Sequence, residues 1–220
     1  MISTKDQETL FKLLANYIQE DLHCIAIGGT AMMFNNYKTT TKDIDLVFKT
    51  MADRKVFINA ITSLGYKELS LKNIYDEKRK EHVDKPLMFT RGDERFDLFV
   101  GNVFGFKILF DDDKIVQRYD FLGEKNLRID VLSAEQLVLL KAITNRERDF
   151  EDIITILNLK KDLDFDFIIN EAINQRKNNE WIIYELEETL QKLKKRFSIK
   201  QSYFDKLYSA EKKSNNFIIR

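Results

Sequence analysis

The sequence predicts an α+β protein, a small mixed sheet with helices against it, completed by a helical C-terminal bundle. Three observations carry that reading. Between Cys24 and Phe48, two short apolar runs of strand character lie on either side of a Gly28-Gly29 turn. Around them, apolar residues recur at helical spacing, at Leu10, Phe11, Leu14, Tyr17 and Ile18 and again at Val56, Phe57, Ala60, Ile61 and Leu64. After Leu157 the pattern is helical throughout.

Composition sets the outer bounds. A chain of 220 residues suits one large domain or one domain with a helical appendage. Lys plus Arg and Asp plus Glu balance at 36 each, so no global basic field advertises nucleic acid, and any such contact must come from a local patch. A single cysteine, Cys24, excludes an internal disulfide and sits in an apolar strand, where a buried, inert thiol is expected. No apolar run approaches the roughly 20 residues of a membrane span, and with a polar N-terminus no signal segment is expected. The expected location is the cytoplasm, with no membrane partner.

Taken in order, Thr4 to Leu22 reads as a helix that Ser3 and Asp6 can close with a capping box. Cys24 to Ile27 reads as a buried strand that stops at Gly28-Gly29, and Thr30 opens a short apolar segment to Phe34. A second strand begins near Asp43. Its period of two puts Asp43, Asp45 and Val47 on one face and Ile44, Leu46 and Phe48 on the other. Thr50 can cap a helix to Leu64 that Gly65 ends, and Tyr66 to Leu71 reads as a strand. Lys72 to Lys85 is heavily charged and predicts a mobile connection over the site. Pro86 to Val100 reads as a hairpin turning near Gly92, with Asp97 between Phe96 and Leu98. Asp111-Asp112-Asp113 reads as a solvated turn, because consecutive residues point to opposite sides. Val116 to Leu122 and Asn126 to Leu132 form a second hairpin around Gly123, and Ser133 with Gln136 matches a capping box. Phe165 to Gln175 and Asn179 to Phe197 are the later helices. The catalytic part is expected over residues 1–132 and a helical region packed on it over 133–220.

Two carboxylates on one strand face repel, and each raises the other's pKa unless a cation lies between them. A hard divalent ion relieves this. A Gly-Gly turn lets backbone N–H groups approach a ligand closely, and the helix behind it aims its positive end at the same spot. Gly-Gly alone is usually a turn and Asp-x-Asp alone a solvated strand end; their conjunction points to phosphate chemistry. Asp97, flanked by Phe and Leu, is expensive to bury unless it is paired or holds a metal.

The run Ala26-Ile27-Gly28-Gly29-Thr30-Ala31, followed by Thr41-Lys42-Asp43-Ile44-Asp45-Leu46-Val47, resembles the signature of the polymerase-β-like nucleotidyltransferase superfamily. More narrowly it is similar to small prokaryotic members related to AbiEii-type toxins (MNT-type). Where many of those carry an Arg four residues before the first Asp, this chain has Thr39. The resemblance spans Ile25 to Leu157 and implies a nucleotidyltransferase fold and transfer of a nucleoside monophosphate from an NTP to an acceptor, RNA, tRNA or protein. It implies Mg2+, with Mn2+ as substitute, held by Asp43, Asp45 and Asp97 as the catalytic carboxylates. Gly28, Gly29 and Thr30 would cradle phosphates, with Lys42 and Lys141 offsetting leaving-group charge. The segment Lys141 to Asp152 looks like the family's later helical stretch, where Arg146, Asp149 and Asp152 follow the lysine. A toxin–antitoxin or phage-defence role with a cognate antitoxin is one implication; a catalytically silent nucleotide-binding or antitoxin-like scaffold is the alternative. The basic run Lys192, Lys194, Lys195, Arg196 and Lys200, with Tyr203, Phe204 and Tyr208 interleaved, reads either as a solvated helix face or as an RNA contact.

Overall fold

The computed structural model describes residues 1–69, 86–110 and 117–215, the last four of them for the backbone only. The expected strand beyond Leu69, the charged connection from Lys72 to Lys85, the Asp111-Asp112-Asp113 turn and Val116 lie outside the described residues. The chain divides into two compact units, Met1–Ser133 and Ala134–Arg220.

The first unit is α+β. Its helix α1 (Thr4–Leu14) begins with the Ser3–Asp6 capping box in place. It ends eight residues before the expected Leu22. Ala15 closes it and the Asn16 side-chain amide donates to the Lys12 carbonyl at 3.1 Å. The apolar spacing runs on past the helix because Ile18 is buried by the turn that follows, whereas Tyr17 is exposed. Strand β2 (Leu22–Ala26) then leads into α2 (Gly28–Phe34). A short β3 (Thr40–Thr41) pairs antiparallel with β1 (Ile2–Ser3). Next come β4 (Asp43–Phe48) and α3 (Met51–Ser63), the latter capped by a Thr50–Asp53 capping box. The hairpin of β6 (Leu87–Arg91) and β7 (Glu94–Val100) turns at Gly92, whose φ of +58° suits a two-residue loop. Its outer edge pairs with β5 (Lys67–Glu68). β8 (Asn102–Val103) and β9 (Phe106–Lys107) extend it, and β10 (Gln117–Leu122) with β11 (Asn126–Val131) forms the last hairpin.

Among the described residues the main path of the sheet runs β10-β11-β2-β4-β7-β6-β5. It is mixed: β11 is parallel to β2 and β4 to β7, while β2 and β4 are antiparallel. Phe57 of α3 lies 5.2 Å from Phe48 and 5.4 Å from Phe96, and Tyr66 completes the cluster 5.0 Å from Phe96. Even-numbered positions of β4 and β7 therefore face α3. Odd-numbered positions, Asp43, Asp45, Arg95 and Asp97, leave the other face. Cys24 is fully buried, and burial pushes its thiol pKa up.

The second unit is helical, with α4 (Ala134–Thr144), α5 (Glu147–Leu159), α6 (Phe165–Gln175), α7 (Ile182–Leu193) and α8 (Gln201–Asn215). α4 contacts α5, α6 and α7, and α8 lies on α6 and α7. α7 is shorter than the expected Asn179 to Phe197. In α8, Tyr203 stacks on Phe165 at 5.7 Å and Phe204 is 1% exposed. Those two aromatics belong to the unit's core and are not open to stack bases.

Candidate active site

β4 and β7 run parallel with Asp43 beside Arg95 and Asp45 beside Asp97. That register, with the period of two, gathers three carboxylates and one guanidinium on a single face. Arg95 Nε donates to Asp97 Oδ1 at 2.8 Å and its Nη2 donates to Asp97 Oδ2 at 3.1 Å and to Asp43 Oδ2 at 2.5 Å. The Arg95 and Asp43 side chains are about a third exposed, at 33% and 29%, while Asp97 is at 10%. Burial works against the guanidinium charge, but Asp97 and Asp43, with Asp45 behind them, raise the Arg95 pKa above its ordinary value. Three carboxylates against one guanidinium leave the face acidic.

The Gly-Gly turn is fastened to the middle of this group. Ile27 N–H donates to the Asp45 carbonyl at 3.2 Å, and Asp45 N–H donates to Thr30 Oγ1 at 2.8 Å. Gly28 has a φ of +54°, and a Cβ there would stand 2.5 Å from Asp45 Oδ2. A Cβ on Gly29 would strike Thr41 Oγ1. Both glycines are thus required by close approach, Gly28 by its backbone conformation as well. Among the described residues, no group of the protein accepts from the N–H groups of Gly28, Gly29 or Thr30. Thr30 is fully buried and its hydroxyl oxygen is taken by the Asp45 backbone, so it shapes the turn from inside.

The structure brings Gly28, Gly29, Thr30, Asp43, Asp45 and Asp97 together. Lys42, one residue out of phase with the carboxylates, is exposed. Lys141 belongs to the second unit, where it is buried. Its Nζ donates to Asp149 Oδ1 at 3.1 Å and to Asp152 Oδ2 at 2.6 Å. Asp149 also accepts from Thr144 Oγ1 and Arg146 Nε, each at 2.6 Å. Despite its desolvation, the hydrogen bond from Arg146 and the charge of Lys141 hold its pKa below the ordinary value.

Carboxylate oxygens suit a hard divalent cation. Among the described residues, no three His, Cys, Asp or Glu side chains converge on one point, and the Arg95 guanidinium stands where an ion shared by Asp43 and Asp97 would sit. The donor set fits the metal in its chemistry, with Arg95 already bonded to two of the three carboxylates.

Arg95 is the residue that sequence reasoning missed. The signal was present: it stands two positions before Asp97 on the same strand, the spacing that paired Asp43 with Asp45. A second ionic cluster was missed as well. Asp130 of β11 is fully buried and bonds Arg118 Nε at 2.8 Å and His23 Nε2 at 2.9 Å. Nothing in the local sequence joins residues 23 and 130.

No family model matches the chain, and no curated protein matches it in sequence. Two solved structures show a loose likeness. One, the crystal structure of ANT(2″)-Ia in complex with adenylyl-2″-tobramycin, has a TM-score of 0.48 at 15% identity over 78% of this chain and 97% of that one. The other, a solution structure of the antibiotic-resistance factor ANT(2″)-Ia, has a TM-score of 0.47 at 16% identity over 85% and 98%. A likeness this loose carries no functional argument, which must come from the site's own residues.

Proposed function

We propose that the protein is a metal-dependent nucleotidyltransferase. An acceptor oxygen would attack the α-phosphate of a nucleoside triphosphate, forming the acceptor–phosphate bond and releasing pyrophosphate. The observation that carries this is the fastening of the Gly28-Gly29 turn onto Asp45, which puts open backbone N–H donors beside three carboxylates on one sheet face. Anion donors next to cation ligands are what a metal-bound triphosphate requires. Gly28 and Gly29 would offer their N–H groups to phosphate oxygens, and the buried Thr30 would hold the turn in place through Asp45. Asp43 and Asp45 would hold Mg2+ or Mn2+, with Asp97 completing the set and taking the acceptor's proton. When bound, the ion supplies Lewis-acid stabilisation of charge on the phosphoryl oxygens. Lys42 is near enough in sequence to answer charge on the leaving group; a phosphate contact from Lys141 would require it to leave Asp149 and Asp152.

The acceptor is expected to be RNA, tRNA or a protein, in keeping with a small AbiEii-related enzyme of a toxin–antitoxin or phage-defence system. The scaffold reading, a silent nucleotide-binding or antitoxin-like protein, has one observation in its favour, the Arg95 guanidinium within the acidic site. Incubation with each α-labelled NTP, magnesium or manganese, and total cellular RNA or protein separates the two. Label transfer that is lost in Asp45→Asn, with the fold intact by circular dichroism, supports the enzyme. Absence of transfer from all four nucleotides, together with an unchanged melting temperature, refutes it.

A further inference from the structure

We propose that Arg95 is an internal stand-in for the divalent cation, so that metal and guanidinium compete for Asp43 and Asp97. The inference rests on the reading of these carboxylates as a metal site. Without a cation, Asp43, Asp45 and Asp97 would face one another across adjacent strands, and their repulsion would oppose the β4–β7 pairing. The chain answers this with its own charge. Arg95 leaves β7 on the same face as Asp97, two residues on, and its register partner across the strand is Asp43. Its planar fork takes both oxygens of Asp97 and one of Asp43. A metal ion drawing on those same oxygens would bring a second positive charge against the guanidinium, and the two like charges compete for the carboxylates.

Two properties follow. The metal-free protein is held together at the site by an internal ion pair. Metal affinity in the absence of nucleotide is set below what the three carboxylates could provide, because each ion must compete with Arg95.

The test uses the full chain, EDTA-treated, with no nucleotide. Mn2+ binding to wild type, Arg95→Gln and Asp45→Asn is titrated by the electron paramagnetic resonance signal of free Mn2+. Arg95→Gln should bind Mn2+ about tenfold more tightly than wild type, equivalent to about 1.4 kcal/mol. It should also melt at a lower temperature than wild type in EDTA and recover in Mn2+, while Asp45→Asn binds weakly. Equal affinity in wild type and Arg95→Gln, with Asp45→Asn impaired, overturns the stand-in role and leaves the metal site intact. No Mn2+ binding by any form overturns the stand-in role, while the nucleotidyltransferase reading stands or falls on label transfer with nucleotide present. Should Arg95→Gln fail to fold, the wild type decides through the assigned Arg95 Nε–Hε cross-peak in 15N-labelled protein. Saturating Mg2+ should shift or broaden it as the bond to Asp97 is lost. An unmoved peak overturns the proposal.

Discussion

Gly28→Ala puts the tie between the glycine turn and Asp45 to a quantitative test. Two separable costs are expected. At a φ of +54°, alanine adopts a left-handed backbone, which costs about 1–2 kcal/mol. Reduced freedom of the unfolded chain returns about 0.4–1 kcal/mol of that. The second cost is steric. The new Cβ would lie 2.5 Å from Asp45 Oδ2 and 3.0 Å from its Cγ. The carboxylate can swing aside, but Cγ must give as well, and an off-rotamer side chain of this kind costs about 1 kcal/mol. The whole substitution should therefore destabilise the protein by about 2 kcal/mol. In an Asp45→Ala background the Oδ2 and Cγ atoms are gone and only the backbone cost remains. A double-mutant cycle should then give a coupling of about 1 kcal/mol between positions 28 and 45. Urea unfolding of the four forms, followed by circular dichroism at unchanged m-value, measures it. The stabilisation of Gly28→Ala by Mg2+ plus triphosphate should fall more than its stability does, because the displaced carboxylate and the N–H donors belong to the same site. An equal cost of Gly28→Ala in both backgrounds would refute the contact, and undiminished nucleotide stabilisation would detach the turn from the function.

The two ionic clusters outside the site yield further expectations. Asp130 is held below its ordinary pKa by the Arg118 and His23 hydrogen bonds in spite of its burial. A depressed folded pKa stabilises above the unfolded value, about 3.9, and that stabilisation is lost as pH falls through the folded one. Asp130→Asn should thus cost about 1–3 kcal/mol near neutral pH, and the gap to wild type in urea titrations should close well below about pH 4. A gap that persists unchanged into acid would mean that packing, not charge, is what the side chain supplies. Lys141→Met takes the buried ammonium from Asp152 and from Asp149, which keeps Thr144 and Arg146, and should destabilise by about 3 kcal/mol in the same assay. Arg146→Ala, with a side chain 70% exposed, should cost under about 1 kcal/mol. A mild effect of Lys141→Met would show that water or rearrangement reaches the pair.

How much of this was legible in the sequence depended on the distance over which each cause acts. The Ser3–Asp6 capping box and the Thr50 cap act over three residues, and both were read and are present, the second completed by Asp53. The period of two on β4 predicted its two faces correctly, because alternation is a property of a single strand. The end of α1 was not legible, since an apolar residue buried by a turn looks the same in sequence as one buried by a helix. Nor was the role of the Thr30 hydroxyl, which depends on how β2 returns against β4, a register no local pattern encodes. Asp97 is the instructive case. Its apolar neighbours implied a compensating positive charge, and that implication holds. The burial of a carboxylate demands a counter-charge but does not say whether a metal or a guanidinium provides it. In this chain the same alternation that aligned the acids also set Arg95 among them, so the sequence carried both answers. Arg95 and Asp97 lie on one strand face, and under the stand-in proposal a divalent ion would have to compete with the guanidinium to hold Asp97.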